Sequence, residues 1–233
     1  MKSLKPTIGL LTATLLWAGC TTAQVQVTRQ MPTRIEAHES VAIVVSPVTT
    51  DFASNAVHCI SETIKEEAPY LRIILPDEFH RTAFPDVALE LAPRALIYLP
   101  LLLTDPAFRA RIAPLGLRYL ISVHGRTDQK GEPFAGAAGG GGGAVTWFGW
   151  SGDRNSYVTA SVLDLKQGTL TGEIKATALG KPWFVCVGIL VFCAPLGAPA
   201  FTEAKACSEI ATAVTRFIVG ENTPRAEAPP HKE

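Results

Sequence analysis

Charge is scarce in this sequence. Only 18% of its 233 residues are charged, and 21 basic groups balance 21 acidic ones. Such a balance gives no field of one sign, which excludes a nucleic-acid binder working by phosphate neutralisation. There is no Cys-x-x-C pair and no His/Cys cluster, so a zinc site has no support. The glycine run Gly139–Gly143 is not followed by Gly-Lys-Ser/Thr, and no Gly-x-Gly-x-x-Gly opens a helix, so a phosphate loop is excluded. Nucleophilic triads and paired carboxylates are missing too. His58 adjoins Cys59, but neighbouring helical residues do not face each other, so they form no thiol–base pair. His80 and His124 are isolated and expected to be exposed or hydrogen-bonded structural residues. Asp51, Asp77 and Asp105 stand at loop or helix starts, where a carboxylate satisfies free backbone N–H groups. The chain therefore reads as non-enzymatic, with no cofactor and no metal.

What is present begins at the N-terminus. Lys2 and Lys5 precede an uncharged run from Pro6 to Gly19, shorter than the roughly 20 residues a spanning helix needs. This is the layout of a secretory signal. The run ends Leu16-Trp17-Ala18-Gly19-Cys20, which resembles the lipobox of bacterial lipoproteins, with Trp17 where an aliphatic residue is usual. The resemblance implies that residues 1–19 are a signal peptide and that Cys20 becomes lipid-anchored. Each buried acyl methylene would then contribute about 0.8 kcal/mol. Thr21 follows in place of an inner-membrane retention Asp, which implies the outer membrane, facing the periplasm. An ordinary signal peptide cut near Ala23 is the alternative. Removing residues 1–19 takes away Lys2 and Lys5 and leaves a net charge of −2.

Lipidation of Cys20 would leave Cys59, Cys186, Cys193 and Cys207, an even number suited to an oxidising compartment. Four cysteines allow three connectivities. The favoured one pairs Cys59 with Cys207, both on predicted helices, and Cys186 with Cys193 inside one hydrophobic hairpin. Free buried thiols stand beside each pairing.

Residues 20–39 are polar and rich in Thr and Gln, and read as a lipidated tether. Val41–Val45 is a continuous apolar run, hence a buried strand. Ser54 is a candidate N-cap for a helix over 55–67, whose stripe is Val57, Ile60 and Ile64. Leu71–Leu75 is a second strand, and Asp77–Phe84 a short helix or turn. Leu89–Leu103 is apolar but interrupted by Pro93 and Pro100, which reads as broken helix. Thr104-Asp105-Pro106 starts a helix, with Phe108, Ile112 and Leu115 buried and Gly116 as its end. Leu117–Val123 is a third strand, and this alternation of elements is that of an α/β layer.

The period then changes. Tyr157–Leu165 and Leu170–Ala178 alternate around a turn at Lys166–Thr169, which predicts a β-hairpin buried on one face. Thr202 opens a last helix with Cys207, Ile210, Val214 and Phe217 on one face, and Gly220 closes it. The tail 221–233 is Pro- and charge-rich and is expected to be disordered. Two apolar insertions, 131–153 and 180–202, flank the hairpin. Charge is missing from Pro133–Gly152 and again from Pro182–Thr202. Their Trp147, Phe148, Trp150, Trp183, Phe184 and Phe192 are candidates for membrane or partner contact.

This order resembles the curli-secretion channel lipoprotein family and, more loosely, Tol-type periplasmic α/β domains. The residues carrying it are Leu117-Arg118-Tyr119-Leu120-Ile121, the Gly139–Trp150 segment, Val162–Gly168 with Gly172-Glu173-Ile174, and the final helix. The resemblance implies an α/β (α+β) domain over 40–220 whose two insertions are hairpins, pooled by ring-forming subunits into one transmembrane barrel. A barrel strand needs roughly 9–11 alternating residues. Phe184–Cys193 does not alternate, and the glycine run has no side chains to offer lipid. The residues thus favour insertions that cover the domain, bind a partner or lie on the membrane. The reading is a lipid-anchored envelope protein acting as an interaction or assembly module, with an envelope protein or its own copies as partner and no nucleic acid. A ring-forming secretion channel stands second, and a periplasmic enzyme third.

Overall fold

The computed structural model describes residues 21–45, 51–88, 99–140, 143–189 and 192–220. The signal peptide 1–19, Cys20, most of the Leu89–Leu103 stretch and the tail 221–233 lie outside the described residues. The elements are β1 (Thr21–Arg29), β2 (Ser40–Val45), α1 (Asp51–Glu67), β3 (Arg72–Ile74), α2 (Pro76–Ala83), α3 (Leu99–Leu102) and α4 (Pro106–Ile112). They continue with a 3-10 turn (Ala113–Leu115), β4 (Leu117–Gly140), β5 (Gly143–Asp164), β6 (Thr169–Gly180), β7 (Trp183–Ile189), β8 (Phe192–Ala198) and α5 (Thr202–Val219). Among the described residues the strands form one mixed sheet in the order β1-β6-β5-β4-β2-β3, with β7 paired to β5 and β8 to β7. This is an α+β fold.

The chain divides into two compact units. One contains Ala23–Thr127, Ser156–Ala178 and the C-terminal helix from Glu203. The described part of the other is Thr21–Thr22, Asp128–Asn155 and Leu179–Thr202.

In the first unit β2 lies between β3 and β4, parallel to both, with Val41 opposite Ile73 and Tyr119. Its residues Ser40–Val44 are all buried. A strand buried on both faces has no alternation to show, which is why it reads as a continuous apolar run. Val41 and Ile43 pack with Ile60 and Ile64 of α1 and with Ile210, Val214 and Phe217 of α5. Ala42 and Val44 point the other way, into a cluster with Phe79 of α2 and Phe108 and Ile112 of α4. Successive strand side chains face opposite sides, so one short strand nails two helical layers together. Truncating a fully buried ring such as Phe217 in a core like this costs about 3–5 kcal/mol.

Local chemistry sets the ends of these elements. Asp105 caps α4 by accepting from the Ala107 N–H at 2.9 Å, with Pro106 at the first helical position. Gly116, after the 3-10 turn, adopts φ +62°, a conformation open chiefly to glycine. Gly168 does the same at φ +66° in the turn between β5 and β6.

Three expectations need correction. Residues 21–29, read as part of a tether, are β1, a sheet strand in which half-buried Ala23, Val25 and Val27 alternate with exposed Thr22, Gln24 and Gln26. The apolar half of that alternation packs on the core, and this is what recruits the segment. Helix α1 starts at Asp51, so Ser54 lies inside its first turn; burial of Phe52 and Ala53 favours the extra residues. His80 is buried, with its ring centroid 6.1 Å from that of Phe84, and its Nε2 has no hydrogen-bond partner among the described residues.

Cys59 on α1 and Cys207 on α5 are joined by a disulfide across 148 residues of chain, as the favoured pairing expects. No described helix is long and apolar enough to cross a membrane.

Candidate functional site

The second unit holds both apolar insertions, and both are hairpins, as the pairing expected for Cys186 with Cys193 and the family resemblance imply. Each insertion is strand. Positions 131–153 belong to β4 and β5, which two residues connect, and a connection that short admits only antiparallel pairing. Positions 180–202 supply β7 and β8, antiparallel with Trp183 opposite Ala198 and Ile189 opposite Phe192. The two hairpins join because β5 and β7 pair antiparallel from Thr146↔Gly188 to Ser151↔Trp183. The segment is therefore a four-stranded sheet in the order β4-β5-β7-β8. Backbone hydrogen bonding to neighbours satisfies stretches whose side chains carry little pattern, so missing alternation is no bar to strand.

The glycines explain how this sheet packs. A Cβ on Gly136 would fall 2.4 Å from the indole of Trp147, and one on Gly131 would fall 2.2 Å from that of Trp150. A Cβ on Gly149 would meet the ring of Phe134 at 2.6 Å. Each ring thus lies against backbone where a side chain would otherwise stand. The glycines give up local strand propensity and gain an aromatic cover.

Charge stops at one level. Gly152 donates to the Pro182 carbonyl at 3.2 Å, and a Cβ added to it would fall 2.0 Å from the Lys130 carbonyl. Lys130, Glu132, Asp153 and Lys181 flank the two uncharged stretches; Pro133–Gly152 and Pro182–Thr202 themselves carry no charge. The uncharged sheet still displays large apolar side chains. Phe148 is 57% exposed, and Phe134, Trp183, Phe184 and Val187 are exposed by roughly two-fifths each. Trp147 and Trp150 are half-buried, and the side chain of Phe192 lies outside the described residues. Phe134 and Val187 were not singled out from sequence, although both stand in the charge-free stretches. Cys186 is buried and disulfide-bonded. The side chain of Cys193, its expected partner, lies outside the described residues. At the charged end a cavity of about 370 Å³ is lined by Trp150, Trp183, Phe184, Gln129 and Arg154.

The other unit carries a buried ionic cluster that sequence reading missed. Glu39 and Asp164, 4% and 1% exposed, face Arg118 and Lys166. Arg118 donates to Asp164 Oδ2 at 2.7 Å, and Lys166 Nζ donates to Glu39 Oε1. Asp164 Oδ1 accepts from the backbone N–H of Lys166 and Gln167, fixing the β5–β6 turn. Burial pushes the Glu39 carboxyl up, but Lys166, a backbone hydrogen bond and Arg118 outweigh it and hold it below its ordinary value. Burial likewise opposes the Arg118 charge, while Tyr119, Asp164 and Glu39 together raise its pKa. Glu36, His38 and Glu39 bring one donor atom each within 4.8 Å of one another. The Glu39 carboxylate is already held by two cations, so the group acts as an ion-pair cluster that fastens the β2 approach to the turn. His124 and His58 join neither cluster.

The fold and this surface define an α+β protein that presents an uncharged antiparallel sheet with exposed aromatic side chains. No protein-family model and no curated protein sequence matches the chain. Among solved structures it is similar to the PelC dodecamer from Paraburkholderia phytofirmans, at 11% identity over 87% of this chain and 100% of that one, with a TM-score of 0.40. A point variant of that dodecamer matches at 13% identity, 85% and 97% coverage and a TM-score of 0.38. The hypothetical protein CT253 from Chlamydia trachomatis matches at 8% identity, 77% and 98% coverage and a TM-score of 0.33.

Proposed function

We propose that the protein is a non-catalytic assembly module of the bacterial cell envelope, anchored by lipid on Cys20 and self-associating through its uncharged sheet. One observation carries this reading: a four-stranded sheet, free of charge past its first residues, that leaves Phe134, Phe148, Trp183, Phe184 and Val187 exposed. Exposed apolar side chains of this size on both faces of one sheet mark an interaction site. Sedimentation of the full-length protein in mild detergent tests it. Assembly should be multi-copy for wild type and should shrink when Phe148 and Phe184 are both replaced by Ser; a monomeric wild type ends the reading. Fatty-acid labelling, present on wild type and lost in Cys20→Ser, tests the anchor separately.

A ring-forming outer-membrane secretion channel is the second reading, favoured by one specific observation: both insertions are hairpins. Three features weigh against it. Strands β7 and β8 have seven residues each, short of the roughly 9–11 that a tilted barrel strand needs. Both faces of the sheet are apolar, whereas a water-filled barrel needs one polar face. The outer strands β4 and β8 each contain a proline, Pro133 and Pro195. Steady single-channel conductance in planar bilayers would instead establish the channel.

A further inference from the structure

We propose that the uncharged sheet is covered on both faces by the same sheet of two other copies, unlike face against unlike face, while its edges stay open. This rests on the self-association proposed above and adds its geometry.

The edges come first. Among the described residues β8 pairs only with β7, and the pairing of β4 with β2 ends at Val123. These outer strands hold Pro133 and Pro195, while the inner β5 and β7 hold no proline. Proline has no N–H to give a ladder and is confined to edge strands. The composition marks β4 and β8 as strands that end the sheet, and prolines of this kind blunt edge-to-edge addition.

The faces remain. Residues paired across strands share a face, and neighbours along a strand do not. Trp147↔Val187, Gly149↔Val185 and Ser151↔Trp183 therefore lie on one face, and Phe148↔Cys186 and Trp150↔Phe184 on the other. Neither face carries charge over this span, so stacking buries no ion. Four strands about 4.8 Å apart and about 23 Å long give each face a footprint on the order of 450 Å². That is roughly half of the 800 Å² that each partner contributes to a stable interface. One face alone makes a small contact, and a copy flanked on both faces leaves the assembly only when two such contacts break. Because the faces differ, the contact is heterologous and repeats from copy to copy, ending where the rotation closes a ring. The packing is that of β-propeller blades, each blade from a separate copy. A bilayer is a poorer occupant, because open strand edges would leave backbone groups unpaired in hydrocarbon.

The test uses Val187→Asp and Phe148→Asp, one exposed residue on each face, in the full-length protein in mild detergent. Sedimentation equilibrium should give a multi-copy wild type and a monomer for each variant alone. An equimolar mixture at high protein concentration should give a one-to-one heterodimer and nothing larger, since each variant keeps the face that the other needs. Circular dichroism and an intact Cys59–Cys207 bond report folding, and Val187→Lys with Phe148→Lys repeats the experiment if either Asp variant unfolds. A single variant that remains a dimer means like-to-like packing and overturns the proposal. Wild-type mass in both variants overturns it in favour of another contact and leaves self-association standing. A monomeric wild type overturns both readings. If Cys20→Ser protein is monomeric and floats with phosphatidylethanolamine–phosphatidylglycerol vesicles until Phe148→Asp is added, lipid is the occupant and the proposal fails.

Discussion

The indole of Trp147 occupies the space where a side chain on Gly136 would stand, 2.4 Å from an added Cβ. The pair couples the glycine-rich end of β4 to the aromatic end of β5. Gly136→Val should therefore displace the indole, since no small shift of a rigid two-ring side chain clears that overlap. Overpacking of this kind costs about 1–3 kcal/mol. Tryptophan emission should shift to the red as Trp147 becomes wetter, and the thermal midpoint should fall. A variant with wild-type emission and midpoint would show that the ring has room to spare.

The bond between Cys59 and Cys207 closes a loop of 148 residues and ties α1 to α5. Loop closure restricts the unfolded chain, and for a loop this long the chain-entropy value is about 5 kcal/mol at most. Cys59→Ser with Cys207→Ser should lower the unfolding free energy by about 3–5 kcal/mol in denaturant titration. The slope of that titration should rise, because the unbridged unfolded chain exposes more surface. Equal stability of the double variant and wild type would mean that the helices are held by packing alone.

Much of the frame was legible because its signals are local. The Val41–Val45 run, the Asp105-Pro106 start, the alternation around Gly168 and the stripe on α5 each occupy one stretch of chain. Alternation of Ala23, Val25 and Val27 with Thr and Gln was also present in sequence, but the polar half dominated the composition and the strand was read as a tether. The insertions were legible only in part: the hairpin holding Cys186 and Cys193 is expected from the sequence, but the joining of the two hairpins into one sheet is not. Their strand character comes from backbone pairing with one another, which glycine and two-sided apolar residues do not advertise. A signal did exist, in glycines on one strand set against tryptophans on the next, and only the register reveals which glycine meets which ring. The ionic cluster was invisible because its members, Glu39 and Lys166, lie 127 residues apart.

That cluster makes stability depend on pH with a definite sign. The folded state holds the Glu39 carboxyl below its ordinary value of 4.5, so folding favours the charged form. Its contribution is complete above that value and is lost as pH falls through the lower folded one. Glu39→Gln keeps the shape but withdraws the charge from Lys166 and Arg118, which should cost about 1–3 kcal/mol at neutral pH. The gap between wild type and variant should then narrow as denaturation is repeated below pH 4.5. A gap that stays constant into acid would assign the role of Glu39 to shape and not to charge.

Prolines on the two outer strands of the hairpin sheet lead to the last prediction. Pro133 and Pro195 each withhold one backbone donor from an otherwise open edge. Threonine at both positions restores those donors and supplies a residue that favours strand. The substitutions leave every exposed aromatic residue in place, so the fold should persist and the thermal midpoint should stay or rise slightly. What should change is the discipline of association. Open, uncharged, apolar edges with a full set of donors are templates for further strands. Sedimentation of Pro133→Thr/Pro195→Thr should therefore lose its single boundary and spread into large, heterogeneous species, with increased thioflavin fluorescence. Retention of one sharp boundary at the wild-type mass would mean that other features protect the edges, and that the prolines do not decide how copies meet.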